Sequence, residues 1–244
     1  MKMVVQRMNR AIEFPIHVRA VPAILLLTVC LLPAGPARAE SVPSGDTVSE
    51  DWFDEDTQPG VTQAREGELV FLSPPPASRT LHSINTITVT RTSLDDGWVQ
   101  LDQCYEGLDA VPATEVVYQY RNMRHLRIHS KTHIGRAVTR EQTVQLTDVQ
   151  HGATLCIQAE AQILYPQAAG RYLLRSGPFH RRFLDGYFPL HVGIDVQFPS
   201  TLLHYLDISP ESQPGFKVDV TDEHVYIDTW FAGALSIEVH FSRR

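Results

Sequence analysis

The basic segment of residues 121–140 is the first place in this chain where chemistry is expected. It holds six Lys or Arg side chains and no Asp or Glu, in a chain whose formal net charge is −7. Arginine presents planar donors that suit carboxylates and phosphates. The segment predicts a contact surface for an anionic ligand or a protein partner, and the alternative is a solvated strand and loop. The candidate binding residues are Arg121, Arg124, Arg127, Lys131 and Arg136.

Three histidines in the same segment, His125, His129 and His133, are spaced by four. Strand geometry places His125, Arg127 and His129 on one outward face. Strand residues four apart are separated by about 13 Å at a rise of ~3.3 Å per residue, whereas zinc ligands converge within a few ångströms of one ion. We therefore expect surface histidines and no metal site, with His125 and His129 as weak candidate ligands.

Residues 177–189 are the second candidate contact surface. Four aromatic side chains surround two arginines there, and the Asp-Gly pair at 185–186 favours a tight turn. The stretch predicts either a buried connection with arginines stacked on aromatic rings or a ligand groove between two β units. The polar groups of that groove would be His180, Arg181, Arg182, Asp185 and Tyr187.

Common enzyme motifs are absent from the sequence. It contains no G-x-S-x-G, H-E-x-x-H, P-loop or G-x-G-x-x-G pattern. We therefore expect no cofactor and favour a non-catalytic protein. The alternative is an enzyme whose acids and histidines are brought together only by folding.

The N-terminus has the pattern of a secretory signal. Residues 1–20 carry four bases and one acid, an apolar run of 12 residues follows at 21–32, and Ala37 and Ala39 form the A-x-A pattern that precedes a cleavage site. A transmembrane helix needs roughly 20 apolar residues, so this run predicts cleavage after Ala39 and export to the periplasm of a Gram-negative cell. Lipidation at Cys30 is disfavoured because Val29 precedes it where a small residue is usual.

Charge is distributed unevenly along the remaining chain. Removing residues 1–39 takes away five of 21 bases and one of 28 acids, which leaves a net charge of −11. Nucleic acid is then disfavoured as a partner, because phosphate contacts need a basic domain. Residues 40–60 hold seven acids and no base, so we expect an acidic disordered leader over 40–66. A further hypothesis is that this leader docks on the basic 121–140 segment.

From residue 68 onward, short runs of apolar and polar residues alternate, most clearly at 155–163, 192–198 and 235–241. A period of two is typical of half-buried antiparallel strands. Proline, which central strand positions exclude, recurs every 10 to 12 residues between residues 166 and 210. The pattern predicts an all-β protein, an antiparallel β-sandwich of two packed β units over 67–165 and 166–244.

Residues 144–161 resemble the corner between strands E and F of fibronectin type III domains. A leucine, a turn and an alternating strand follow in that family's order, although Leu155 stands where the family has its corner tyrosine. The resemblance covers 18 residues and implies an immunoglobulin-like sandwich. It implies no function, because such sandwiches host many.

Cys104 and Cys156 are the two cysteines left after the signal, and an even pair in an exported protein predicts one disulfide. Along its strand, each cysteine alternates in step with the polar residues and so points away from the apolar face. The bridge should therefore join neighbouring strands, or a strand end and a loop, rather than cross the core as it does in antibody domains.

These patterns together predict an exported, non-catalytic periplasmic protein that binds an envelope protein or helps assemble a complex. The alternative is a periplasmic hydrolase-type enzyme with a site between the two β units. An enzyme should show a deep pocket with converging acids or histidines and shifted pKa values. A binding module should show a shallow charged or aromatic surface.

Overall fold

The computed structural model describes residues 67–77, 80–183 and 186–244, together with the backbone of residues 2–5. Strands dominate the described chain, and the helical elements there are one turn, α1 (Ser93–Asp96), and a 3₁₀ turn at Ala168–Gly170. The strands are β1 Lys2–Val5, β2 Val70–Phe71, β3 His82–Thr88, β4 Trp98–Leu108, β5 Val111–Val117, β6 Met123–Arg140, β7 Thr143–Gln162, β8 Leu164–Pro166, β9 Arg171–Phe183, β10 Gly186–Phe188, β11 Leu190–Gln197, β12 Leu203–Ser209, β13 Phe216–Val220, β14 His224–Ala232 and β15 Leu235–Arg243.

The strands form two packed sheets, which confirms the predicted all-β sandwich. Neighbours run in the order β12-β15-β9-β1-β5-β7-β4-β3-β11-β14-β13, with β6 beside β7, β8 and β10 beside β9, and β2 beside β14. The described pairings are antiparallel except β3 with β11 and β1 with β9.

Strand β9 passes from one sheet to the other. Its first part pairs with β15, and its last four residues, from His180 to Phe183, pair with β1. Between them Gly177 has φ +111°, and a Cβ there would lie 2.6 Å from the carbonyl oxygen of Leu235. Only glycine fits so close an approach with that backbone conformation, so Gly177 permits the bend that joins the sheets.

The core lies between the two sheets and is built by the predicted alternation. Along β11 every second side chain, from Leu190 to Val196, is buried. The largest fully buried side chains are Tyr105, Phe179, Phe216, Phe231 and Phe241. Aromatic side chains carry large apolar areas, so these five contribute much of the burial that holds the sheets together.

A buried polar chain crosses strands β4, β3 and β11 inside this core. Gln103 Nε2 donates to Asn85 Oδ1 at 2.6 Å, and Asn85 Nδ2 donates to the carbonyl oxygen of Gly193 at 2.9 Å. Buried amides are costly unless they are hydrogen-bonded. These two hydrogen bonds therefore fix the relative register of the three strands.

Three tyrosines extend the buried polar groups. The hydroxyls of Tyr105 and Tyr118 lie 3.4 Å apart, and that of Tyr120 lies 3.2 Å from Ser176 Oγ on β9. Burial raises the pKa of Tyr105, Tyr118 and Tyr120, because a phenolate would be desolvated in the core. All three remain neutral hydrogen-bonding groups at physiological pH.

The predicted disulfide is present and joins neighbouring strands, one of the two arrangements that the sequence left open. Cys104 on β4 is the register partner of Cys156 on β7, with Cα atoms 4.1 Å apart. Gln103 and Tyr105, which flank Cys104, are buried on the other side of the sheet. The bridge therefore lies on the solvent side.

The described part of 67–244 forms one compact unit together with β1, and the predicted division at 165–166 stays a prediction. Apart from β1, the predicted signal over 1–39 and the leader over 40–66 lie outside the described residues. No helix in the described ranges is long and apolar enough to cross a membrane.

Candidate functional site

A continuous solvent-facing surface, here called the outer face, crosses β6, β7, β4, β3, β11 and β14. In-register pairing aligns its side chains in rows that run across the strands. The first row is Arg124, Glu160, Gln100, Thr88, Gln197 and His224. The last row is Thr132, Thr154, Glu106, His82, His191 and Trp230.

An aromatic stack ends the last row. His191 lies between His82 and Trp230, with ring centroids 3.8 Å and 4.1 Å away and nearly parallel planes. Its Nε2 lies 2.6 Å from the Asp228 carboxylate. Burial, together with the neighbouring imidazole of His191, lowers the pKa of His82, although the carboxylates of Glu106 and Asp228 oppose that shift.

Apolar surface is exposed at the centre of the outer face. Ile84 lies between Cys104 of the disulfide and Gly193 in the strand register, and it is 37% exposed because glycine offers no side chain to cover it. Tyr226 on β14, the last strand of the outer face, is 42% exposed and stacks on His224 with ring centroids 5.1 Å apart. The outer face therefore combines apolar area with polar neighbours, as protein-binding surfaces do.

The opposite end of the outer face carries two of the predicted arginines. Arg124 stacks 4.1 Å from the Trp98 ring and donates to Glu160 at 2.7 Å. The hydrogen bond from Arg124 lowers the pKa of Glu160 against a smaller opposing effect of burial, and His125 adds to the lowering. Arg127 donates twice to Gln158 Oε1, at 2.8 Å and 3.1 Å. This end is therefore of mixed charge rather than the single positive sign that the sequence suggests.

The other predicted basic residues are dispersed rather than gathered with Arg124 and Arg127. Lys131 Nζ donates to the carbonyl oxygens of Ile134 and Gly135, both at 2.9 Å. Arg121 borders a separate hollow near α1. Arg136 is exposed on the far half of the β6–β7 hairpin, opposite Thr147.

The histidines of this segment lie on the surface. His125, His129 and His133 are exposed, and His125 and His133 have positive φ at register shifts of β6. His125 Nδ1 lies 3.2 Å from Glu160. Among the described residues, no three His, Cys, Asp or Glu side chains form a group that could hold a metal ion.

The structure brings together the described residues of the 177–189 surface. Arg181 forms an ion pair with Asp109, in the turn between β4 and β5. Arg182 lies over the Tyr187 ring at 5.6 Å, and the same ring lies 5.7 Å from the ring of buried His180, with the two planes inclined by 72°. Asp185 lies outside the described residues.

A hollow of about 560 Å³ on the other sheet contains polar residues that sequence reasoning missed. His240 on β15 and Asp207 on β12 line it and form a hydrogen-bonded pair, and Leu206, at a bulge of β12, is exposed beside them. Desolvation and the Asp207 charge raise the pKa of nearby Tyr205. The alternation of apolar and polar residues predicts only that His240 faces outward. Nothing in the sequence indicates that Asp207, on another strand, is its partner.

No family model and no curated protein matches the chain. Among solved structures, an M1 zinc metallopeptidase from Deinococcus radiodurans is similar at 14% identity and a TM-score of 0.36, over 67% of this chain and 42% of that one. A mutant from the same organism bound to a Tyr-Ser-Ala substrate gives 14% identity and a TM-score of 0.39, over 67% and 43%. This chain thus spans less than half the length of these structures.

Proposed function

We propose that this protein is exported to the periplasm and is a non-catalytic binding or complex-assembly protein that contacts a protein partner through its outer face. The proposal is supported by the exposed apolar side chains and charged pairs of the outer face. This face spans six strands and exposes Ile84 at its centre and Tyr226 on its last strand, with the ion pairs of Arg124 with Glu160 and of His224 with Asp195 on the same face. Exposed apolar area rimmed by polar groups is typical of interaction surfaces.

The shape of the surface also favours binding over catalysis. The hollow beside Arg127 on the outer face has a volume of about 240 Å³ and is open to solvent. The pKa of Glu160, which lines this hollow, is lowered by its hydrogen bond from Arg124, so this carboxylate is held as an anion. The pKa values raised most by burial belong to core tyrosines such as Tyr105 and Tyr118, away from the hollow. A general acid or base would instead need a pKa shifted toward neutral pH in a group that a substrate can reach.

Only one of the two predicted contact segments contributes to the outer face. Residues 121–140 place Arg124 and Arg127 there, while residues 177–189 present Arg182 and Tyr187 on β9 and β10. We infer that an anionic group of the partner is bound at such arginines, because guanidinium groups pair well with carboxylates. The acidic leader over 40–66 would compete for the same cations.

The contact surface is tested by affinity capture from the envelope fraction with three forms of the exported chain. A Tyr226→Ala, Ile84→Ser variant should lose the partner that the unchanged chain retains. Tyr165→Ala is the matched control, because Tyr165 is similarly exposed, at 38%, but lies on β8 away from the outer face. Equal retention of the partner by both variants would refute the outer face as its contact.

Export is tested separately by the intact mass of the chain recovered from the periplasm. Cleavage after Ala39 leaves 205 residues. Recovery of the uncut chain, or of a lipidated chain beginning at Cys30, contradicts the proposed processing.

The second candidate is a hydrolase-type enzyme, favoured by the pair of His240 and Asp207 in the 560 Å³ hollow. A carboxylate on Nδ1 leaves Nε2 as an acceptor, which suits a general base. Ester or peptide hydrolysis that is lost in His240→Gln and kept in His204→Gln, an exposed histidine of β12, would establish this function. Equal activity of both variants would remove it.

A further inference from the structure

Strand β1, from Lys2 to Val5, occupies a gap between β5 and β9. It pairs antiparallel with β5, where Met3 is the partner of Val116, and parallel with β9, where Met3 is the partner of Arg181. A four-residue segment from the far N-terminus thus completes the connection between β5 and the end of β9. We call the gap that it fills the strand seat.

The strand seat is bounded by edges that have no other strand on that side in the described chain. β5 pairs on its other side with β7, and the last residues of β9 pair on their other side with β10. Neighbouring strands lie about 4.8 Å apart, so β5 and β9 are separated by roughly twice that spacing, the width of one strand. Removing β1 would leave two facing rows of unpaired backbone donors and acceptors.

A side-chain tie spans the strand seat independently of its occupant. Arg181 on β9 pairs with Asp109 in the turn before β5, and its guanidinium also donates to the carbonyl oxygen of Pro189. Buried Tyr120, in the connection after β5, adds a hydroxyl contact to Ser176 on β9 at 3.2 Å. β5 and β9 are therefore connected by side chains at the turn before β5 and in the connection after it, as well as by β1.

We propose that, once residues 1–39 are removed, the strand seat accepts an extended segment of a protein partner by β-strand addition. The inference rests on the proposed export, because the present occupant lies within the segment that processing removes. Main-chain hydrogen bonds to both edges supply affinity in this mode of recognition. An unpaired sheet edge is otherwise a template for aggregation.

The occupant defines the chemistry of the segment that fits. It is four residues long, contains no proline, and has apolar Met3, Val4 and Val5 after Lys2. Val4 pairs with Glu115 on one side and Arg182 on the other, so the edges offer charges of both signs. The acidic segment 40–60 is a poorer match, because it carries seven acids and has a proline, Pro43, as its fourth residue.

The seat is tested first on the full chain. A protease site placed within residues 40–60 allows the folded protein to be cut, and the N-terminal fragment should then stay bound during native gel filtration. In a Met3→Pro, Val4→Pro variant the fragment should be released, since proline cannot donate to a ladder. The N-terminal fragments of the unchanged chain and of the double-proline variant both contain the apolar run at 21–32. Any retention through that run is therefore equal for the two, and identical retention of both fragments would overturn the proposal.

The second test uses the chain recovered after export and a fluorescent peptide of residues 1–9. The peptide should bind at least about tenfold more tightly than its double-proline counterpart. Arg181→Gln should weaken peptide binding. Arg175→Gln removes an ion pair between a different arginine of β9 and Glu238 of β15, and it should leave peptide binding unchanged. Equal affinity of the two peptides would overturn the seat.

The two proposals fail in different ways. An exported chain whose mass still includes residues 1–39 contradicts the proposed processing. A correctly cleaved chain that does not distinguish the peptides contradicts the strand seat while leaving export intact.

Discussion

His191 stacks on Trp230 with ring centroids 4.1 Å apart and planes inclined by 9°. His82 covers the other face of the same imidazole. A cationic His82 would lie against a second titratable ring in a half-buried setting, and the lowered pKa of His82 reflects this. The stack therefore links protonation to the stability of the outer face.

Acidification should destabilise the protein through His82. Because its pKa is lowered on folding, the unfolded chain binds more protons below about pH 6.5, and stability falls as the pH drops from there through the folded pKa. Thermal unfolding between pH 8 and pH 5 should show a smaller acid-side loss for His82→Gln. His151→Gln, an exposed histidine, is the control and should follow the unchanged chain.

Alkaline pH should destabilise the protein through its buried tyrosines. Tyr118 keeps its proton in the folded chain above pH 10, while the unfolded chain releases it, so stability falls as the pH rises from about 10. Urea unfolding at pH 8 and pH 11 should show a smaller difference for Tyr118→Phe than for Tyr165→Phe, which changes an exposed ring. Identical differences for the two variants would contradict this cause.

The local pattern of the chain was sufficient to predict much of this fold. Alternation places Val192, Ile194 and Val196 in the core, and the parity of Cys104 and Cys156 predicts a bridge on the outward side, between neighbouring strands or between a strand end and a loop. Both inferences need only the two-residue period of a strand. They hold because side chains alternate whichever strands become neighbours.

Features that depend on pairing between distant strands were not predicted. Nothing local indicates that β3 runs parallel to β11, or that the Asp207 carboxylate meets His240. In the basic segment the residue types were evident, but the pairing of Arg124 with Glu160 from β7 follows only from register. The charge of a strand face is set by its neighbours as well as by its own residues.

The buried hydrogen bonds of Gln103 and Asn85 should contribute more to stability than an exposed amide side chain on the same strand. Gln103→Leu removes the 2.6 Å donor to Asn85 Oδ1 and leaves this buried amide oxygen with the longer 3.4 Å contact from Ser83 Oγ, which costs about 1–3 kcal/mol. Gln100→Leu, three residues away and exposed, should change the free energy of unfolding by within about 0.5 kcal/mol. Chemical denaturation of both variants measures the contrast, and equal losses would argue against the buried network as a stabilising element.

The disulfide should stabilise mainly by constraining the unfolded chain. Cys104 and Cys156 are 52 residues apart, and the chain-entropy model gives about 4 kcal/mol for a loop of that size. The double variant Cys104→Ala, Cys156→Ala should therefore lose stability by up to about this amount in urea unfolding. Reductant should lower the stability of the unchanged chain but not that of the double variant. Because Ile84 lies beside the bridge on the outer face, partner capture by the folded double variant also tests whether that surface needs the bridge or only the strands beneath it.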